Sequence, residues 1–254
     1  MMKITDKFVE PLPSATVLLI RDTEDGPEVL LLLRRKKVSF GSSYVFPGGV
    51  VDKTDITLEV DLDIDQRKTI NQKLDLSSGG YSYYSAAIRE LFEEAGVLLA
   101  VDIDGEFPSY LNIEGYRNQL NMGKISWDKF LGDNQLSLNY GQLAYFAFWI
   151  TPLYLSQRFS TRFFVSEIPS NQSASHCGNE LIDSRWMTPR DALIARRKKE
   201  INIPHPTAIT LMQIRDFNSV KEILEWAKIK FNEGIPCYFP ELTASELRGD
   251  VSLE

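Results

Sequence analysis

The apolar positions of the 254-residue chain fall into short runs separated by polar, turn-rich stretches. ATVLLI at 15–20 and EVLLLLR at 28–34 are rich in Val, Leu and Ile and predict strands. RDTEDGP between them is a cluster of turn formers, so the pair predicts a hairpin. YVFPGGVV at 44–51 is an extended apolar run broken by Pro47-Gly48-Gly49, which predicts a strand ending in a tight turn. Residues 53–80 are polar and close on Ser-Ser-Gly-Gly, so they predict a loop with at most a pair of helical turns. Residues 84–100 predict a helix. Residues 107–140, with Tyr110, Tyr116, Trp127 and Phe130 among polar positions, predict short helices and connections. LAYFAFWIT at 143–151 and FSTRFFVSEI at 159–168 predict strands, 169–180 a polar loop, and DSRWM at 183–187 a short strand. Thr188 as N-cap and Pro189 at the first helical position open the next helix, and TAITLMQIRDF and SVKEILEWAKIKF predict two more.

The order is strands, a helix, strands, then helices, the pattern of an α+β fold. A single domain over 1–254 accommodates it, with 53–80 as an insertion, 189–232 as C-terminal helices and 233–254 as a tail poorly packed at its end.

Composition narrows the classes. With 43% hydrophobic and 25% charged residues the chain is an ordinary globular one, and its net charge of −7 provides no basic field for nucleic acid. Its longest apolar runs, VLLLL at 29–33 and VLLAV at 97–101, are too short to span a membrane, and MMKITDKFVEPLPSAT lacks the apolar core of a signal peptide. A cytoplasmic setting is expected, with Cys177 and Cys237 as free thiols. Two histidines, His176 and His205, do not make a His-rich zinc site.

IRELFEEAG at 88–96 holds the candidate chemistry. On a helical wheel Leu91, Phe92, Ala95, Leu98 and Leu99 fall on the side of Ile88, and Glu90, Glu93 and Glu94 lie roughly 140° to 240° away. Like charges so spaced cost a helix about 0.2–0.5 kcal/mol per pair, and a cation removes that cost. Carboxylate oxygens are hard ligands that suit Mg²⁺ or Mn²⁺, and Arg89, four residues before Glu93, can align it. The alternative is a solvated acidic face. Gly96 marks a break in the helix, and Gly48-Gly49 upstream lets backbone approach a ligand without a Cβ in the way.

These residues resemble the signature of the Nudix hydrolases, G-x5-E-x7-R-E-U-x-E-E-x-G-U, with U a bulky aliphatic residue. Gly49 opens it, and Arg89, Glu90, Leu91, Glu93, Glu94, Gly96 and Val97 match its second half at every specified position. The signature steps 14 positions from glycine to arginine; here the step is 89 − 49 = 40, so 26 residues are extra, and 53–80 accounts for them. The upstream glutamate of the signature has no assignable equivalent: eight residues before Arg89 stands Tyr81. Trp149-Ile150-Thr151-Pro152 and Arg158-Phe159-Ser160-Thr161-Arg162-Phe163-Phe164 resemble runs of the Nudix motif 19-like branch of coenzyme A diphosphatases. With ASHCGNEL and RWMTPRDAL the resemblance covers roughly residues 14 to 225. The L-R-x-H-x-G type marker of the other coenzyme A branch is absent; VSFGSSYVFPGG stands in its place.

The resemblance implies a Nudix fold, a mixed β-sheet between α-helices, here with extra C-terminal helices. It implies metal-dependent hydrolysis of a diphosphate linkage in a nucleoside diphosphate joined to a second group. Coenzyme A or acyl-CoA would give 3′,5′-ADP and a phosphopantetheine. Other nucleotides (ADP-ribose, NADH, a dinucleoside polyphosphate) and a non-catalytic nucleotide-binding regulator are the alternatives. Glu90, Glu93 and Glu94 would hold Mg²⁺ or Mn²⁺ with the backbone carbonyl of Gly48, supported by Arg89, Gly49 and Gly96. The base would be one of these glutamates or Glu180 in the 169–180 loop, ahead of Glu167 near a strand end. His176 could line the same loop. Arg34, Arg35, Arg158 and Arg162 are candidates for the substrate phosphates. The C-terminal helices would cover the small nucleotide substrate or form a homodimer contact. Asp61, Asp63 and Asp65 resemble the opening of a calcium loop. Gln66 and Gln72 replace its glycine and its closing glutamate, so they read as a solvated face.

Overall fold

The computed structural model describes residues 8–34, 42–58, 62–153, 155–176 and 181–241. Strands β1 (Leu12–Thr23) and β2 (Gly26–Arg34) form the expected hairpin, paired antiparallel from Thr23 and Gly26 back to Ile20 and Val29. Beyond that point the two strands splay. The gap is filled by β3 (Ser43–Val45), which pairs with β2, and β4 (Gly48–Val50), which pairs with β1. Residues 44–51 are therefore two short strands across a bend. Pro47 suits the bend because it has no N–H to place, and its carbonyl accepts bonds from the Val17 amide at 2.9 Å and the Thr16 hydroxyl at 2.7 Å.

On the other side of β1 lies β8 (Phe159–Glu167), parallel to it. Then come β7 (Ala144–Ile150), antiparallel, and the edge strand β10 (Cys237–Tyr238). Strand β9 (Leu181–Met187) pairs with β2. The result is an eight-stranded mixed sheet. A pair of two-residue strands, β5 (Ala100–Val101) and β6 (Ser137–Leu138), stands apart from it.

Both faces of the sheet are covered, which is why its strands read as continuous apolar runs. Along β1, Ala15, Val17 and Leu19 pack with Ala87, Ile88 and Leu91 of helix α3 (Gly80–Ala95). Leu18 and Ile20 face the other way. They pack with Ala192 of α6 (Pro189–Arg197), Leu211 of α7 (His205–Ile214) and Ile223 of α8 (Val220–Glu233). Helices α4 (Ile113–Asn121) and α5 (Trp127–Asp133) flank α3. Among the described residues no helix is long and apolar enough to cross a membrane.

Two expectations are corrected. Residues 53–80 are largely helical, with α1 (Lys53–Thr57), α2 (Ile64–Lys73) and the start of α3. Capping boxes open the first two, Asp52 with Asp55 and Asp63 with Gln66. So Asp63 is a cap while Asp65 is exposed; Asp61 lies outside the described residues. The helix expected over 84–100 runs over 80–95, and Leu98 and Leu99 reach the core from non-helical chain beyond Gly96. The beginning of the tail is ordered: Tyr238 stacks on Trp149 with ring centres 4.3 Å apart. Cys237 is an exposed free thiol, and Cys177 lies outside the described residues.

Leu74, just past α2, is 1% exposed and belongs to the core under α3. Leu74→Ala is expected to lower the unfolding free energy by about 2–5 kcal/mol in urea titrations. A loss within about 0.5 kcal/mol, as at a surface loop, would show that 53–80 is not part of the packed body.

Candidate active site

Helix α3 is held at both ends. At its start the side chain of Asn71, on α2, accepts the Gly80 amide at 2.7 Å, one of the N–H groups a helix leaves unsatisfied. At its end Gly96 takes a left-handed conformation, φ 75°, that L side chains rarely adopt, and its amide donates to the Phe92 carbonyl. A Cβ there would also press on the Arg117 guanidinium, 2.9 Å away. Between the ends Ala87, Ile88, Leu91, Phe92 and Ala95 are fully buried, as the wheel requires. The opposite face carries the charges.

Arg89 is the hub of that face. Its Nη2 lies 2.9 Å from Asp55 Oδ2, and its Nε lies 3.2 Å from both Asp55 oxygens. Nη2 also donates to the Val50 carbonyl at 2.9 Å, while Nη1 reaches Glu90 Oε1 at 2.9 Å and Glu93 Oε2 at 3.2 Å. Arg89 thus orients two glutamates where sequence reasoning expected only Glu93. Asp55 is 0% exposed and accepts further bonds from the Ser85 hydroxyl at 2.7 Å and the Asp52 amide at 2.9 Å. Ser85 in turn accepts the Trp127 indole N–H at 3.1 Å. Burial raises the Asp55 carboxyl and Arg89 opposes the rise; the fork-to-carboxylate contact is that of an ion pair.

The expectation that the signature's upstream acid has no equivalent is corrected: Asp55, paired with Arg89, stands in its place. Counted forward from Gly49 it stands six positions on, where the pattern has glutamate; counted back from Arg89 the same position falls on Tyr81. The step from Asp55 to Arg89 is 89 − 55 = 34 against 8 in the signature, so all 26 extra residues lie between them. The signal was present in the forward count and in the Asp52-x-x-Asp55 capping box.

Glu90 packs against Gly49 so closely that a Cβ on Gly49 would overlap the carboxylate, which accounts for glycine at that position. Glu94 binds the same strand: its Oε2 accepts the Gly48 amide at 2.9 Å. One nitrogen of Arg34, Nη2, lies 2.6 Å from Glu94 Oε1 and 2.9 Å from the Gly48 carbonyl oxygen. Burial pushes the Glu93 carboxyl up to about 7 against the pull of Arg89. It pushes Glu94 up to about 7 against the pull of Arg34, and it raises Glu90 as well. Among the described residues no three acidic, His or Cys side chains converge as a ready ligand set. Arg89 draws Glu90 and Glu93 one way and Arg34 draws Glu94 another.

Arg117, on α4, was not singled out from sequence. It is 1% exposed and donates to the carbonyls of Glu93 (3.1 Å), Glu94 (2.9 Å) and Ser175 (2.6 Å). The Ser175 amide donates to the Ala95 carbonyl at 2.9 Å, and the Gln172 side chain brackets the amide and carbonyl of Leu98. The 169–176 stretch is therefore tied to the end of α3, where a cation also suits the helix dipole. His176, at the end of that stretch, is exposed, and Glu167 is exposed at the end of β8. Glu180 and Arg35 lie outside the described residues.

Arg158 and Arg162 do not present themselves to phosphates. Arg158 is 3% exposed and donates to the carbonyls of Val9, Thr151 and Pro152. Arg162, 4% exposed, donates to the Leu74 carbonyl and stacks over Tyr83 and Phe148. Backbone and rings occupy both guanidinium groups, and the run that contains them is braced against the Trp149–Pro152 run through Thr151.

The family model for the NUDT19 Nudix domain matches residues 78–214, and the general NUDIX domain model matches 11–124. The chain is 24% identical to an acyl-coenzyme A diphosphatase NUDT19 of Xenopus laevis, with 86% of this chain and 68% of that protein aligned. It is 24% identical to the protein named nudix hydrolase 7 of Caenorhabditis elegans, over 78% of this chain and 57% of that one. Its fold matches the crystal structure of a NUDIX hydrolase from Alicyclobacillus acidocaldarius, with a TM-score of 0.72, 23% identity and coverage of 85% and 96% of the two chains.

Asp55→Asn leaves Arg89 buried with one fewer countercharge and is expected to cost about 3 kcal/mol in chemical denaturation. A cost under about 1 kcal/mol would remove the pair from its central place. The glutamates set a pH dependence in the chelator-treated protein. Folded, Glu93 and Glu94 hold their protons to about 7, against an ordinary 4.5. Their contribution to stability is full below about pH 4.5 and is lost as the pH rises through 7. The melting temperature, followed by circular dichroism, should therefore fall from about pH 5 to about pH 8. A rise over that interval would contradict the burial of these carboxyls.

Proposed function

Because the chain belongs to the Nudix family of hydrolases, we propose that it cleaves the diphosphate linkage of a nucleoside diphosphate joined to a second group, with Mg²⁺ or Mn²⁺ as cofactor. We assign coenzyme A or an acyl-CoA as the substrate and 3′,5′-ADP and the corresponding phosphopantetheine as the products. The observation that carries the catalytic reading is the meeting of Glu90 and Glu94 with the Gly48-Gly49 strand, at contacts that leave no room for a side chain on Gly49, with Glu93 held by Arg89.

The residues present fit a hard divalent cation. Their donors are carboxylate and carbonyl oxygens, and a positively charged nitrogen already rests on two of them, Glu94 Oε1 and the Gly48 oxygen. Glu90, Glu93, Glu94 and the Gly48 carbonyl would hold the ion. When bound, it supplies charge to the phosphoryl oxygens and lowers the pKa of a water. The chain's own part is positioning. Asp55 and Arg89 fix Glu90 and Glu93, Arg117 holds the last turn of α3, and one glutamate takes the proton from the attacking water. Glu180 is the second candidate for that proton. The exposed thiol of Cys237 suits a reducing, cytoplasmic setting.

Coenzyme A is supported by the NUDT19 family model and by the Xenopus relative. The L-R-x-H-x-G type run of the other coenzyme A branch is absent before Gly48, so coenzyme A rests on overall resemblance, which leaves a second reading, hydrolysis of another nucleotide such as ADP-ribose, NADH or a dinucleoside polyphosphate.

Purified protein with Mg²⁺ or Mn²⁺ should turn over coenzyme A or acyl-CoA fastest in a panel with those nucleotides. Preference for another member installs the second reading, and no turnover of any by folded protein removes both. Glu93→Gln and Glu94→Gln should each lower turnover by about 100-fold or more while the melting temperature stays level or rises, because a buried charge is lost. Full activity in either variant would remove that residue from the site.

A further inference from the structure

We propose that a cavity between the sheet and the start of α7 takes the pantoyl group of coenzyme A, the branched apolar segment one methylene from the diphosphate. The proposal rests on the reading of coenzyme A as substrate and assigns the part of it that the cavity selects. Strands β1 and β2 splay beyond Ile20 and Val29, and beside the inserted β4 they leave a cavity of about 180 Å³. Gly48 and Arg34 border it, and both also touch Glu94, through the Gly48 amide at 2.9 Å and Arg34 Nη2 at 2.6 Å. With the diphosphate on the glutamates, the occupant of this cavity is the group joined directly to it.

Phe46, Phe163, Pro204 and Pro206 make much of the wall apolar, and both rings are buried. Such walls favour an apolar occupant, whose entry releases water. A ribose would give up the hydration of its hydroxyls there for few partners. On its pantetheine side coenzyme A carries a quaternary carbon with two methyl groups next to the diphosphate. ADP-ribose, NADH and dinucleoside polyphosphates carry a ribose at each end of the phosphate chain instead. A polar spot on the wall suits the hydroxyl and amide carbonyl that follow in the pantoyl group. Thr207, in the first turn of α7, borders the cavity and is 5% exposed. Among the described residues its hydroxyl has no hydrogen-bond partner, and no side chain caps the helix. The Thr16 hydroxyl, on the same wall, is spent on the Pro47 carbonyl at 2.7 Å. The Thr207 hydroxyl is therefore the one left for a ligand, since a polar group so deeply buried calls for a partner.

Full-length protein with excess Mn²⁺ is titrated by calorimetry with 4′-phosphopantetheine and, separately, with 3′,5′-ADP. Thr207→Val should bind phosphopantetheine about fivefold more weakly than wild type and 3′,5′-ADP equally well, because one hydrogen bond to the pantoyl group is lost. Thr207→Ser keeps the hydroxyl and should restore the affinity. Val45 also borders the cavity. Val45→Phe narrows it and should weaken phosphopantetheine alone by about tenfold, which serves as the test if Thr207→Val does not fold. A merely structural threonine would not separate the two halves of the substrate. No loss in a folded variant, an equal loss for both ligands, or a loss for 3′,5′-ADP alone overturns the placement. Turnover of coenzyme A by wild type, measured alongside, keeps the two readings apart. With turnover present, any of those outcomes removes the pantoyl site and leaves the diphosphatase standing. No turnover by folded wild type removes the coenzyme A reading and this placement with it.

Discussion

The fully buried contact between Asp55 and Arg89 is the interaction on which the rest of the platform depends. A carboxylate removed from water is costly unless its lone pairs are met. Here Arg89, the Ser85 hydroxyl and the Asp52 amide meet them. The same guanidinium reaches Glu90, Glu93 and the Val50 carbonyl, so helix α1, strand β4 and helix α3 share one charged group. This explains how 26 extra residues can interrupt the signature. The chain leaves after Asp55 and returns at Gly80, where Asn71 caps α3, so the acid and the arginine meet although the chain between them is long. Lengthening a loop adds little closure entropy, and the ion pair sets where its ends lie.

The other end of α3 has a counterpart in Arg117. It holds the carbonyls of Glu93 and Glu94 from below while the glutamate side chains project to the site, and it ties Ser175 to the same turn. Left-handed Gly96 turns the chain away at that point and leaves room for the guanidinium. The pitch at which the glutamates project is thus set from both ends of one helix, by two arginines that touch different atoms.

The arginines show how far residue type falls short of role. Arg34 lies half open on the platform, Arg89 is closed within it, and Arg117, Arg158 and Arg162 are buried against backbone carbonyls. Arg158 bonds Val9, and Arg162 bonds Leu74, 88 positions away in sequence. The WITP and RFSTRFF runs, legible as motifs, turn out to brace the sheet. The invitation of Arg158 and Arg162 to phosphate was a property of the residue type, and their burial cancels it.

What the chain determined by itself is what depends on near neighbours. The apolar runs of β1, β2, β7 and β8, the buried stripe from Ala87 to Ala95, the stop at Gly96 and the opposed face of Glu90, Glu93 and Glu94 all follow from periodicity and backbone preference within a few residues. The helices within 53–80 were hidden by their polar outer faces, although Asp52 and Asp63 marked their starts. Only the tertiary structure decided that Asp55 supplies the missing acid, that Arg117 secures α3, and that Arg34 but not Arg158 or Arg162 faces the glutamates. Each of those outcomes depends on a charge being withdrawn from water beside a partner distant in sequence, and burial of that kind exists only once the chain has folded back on itself.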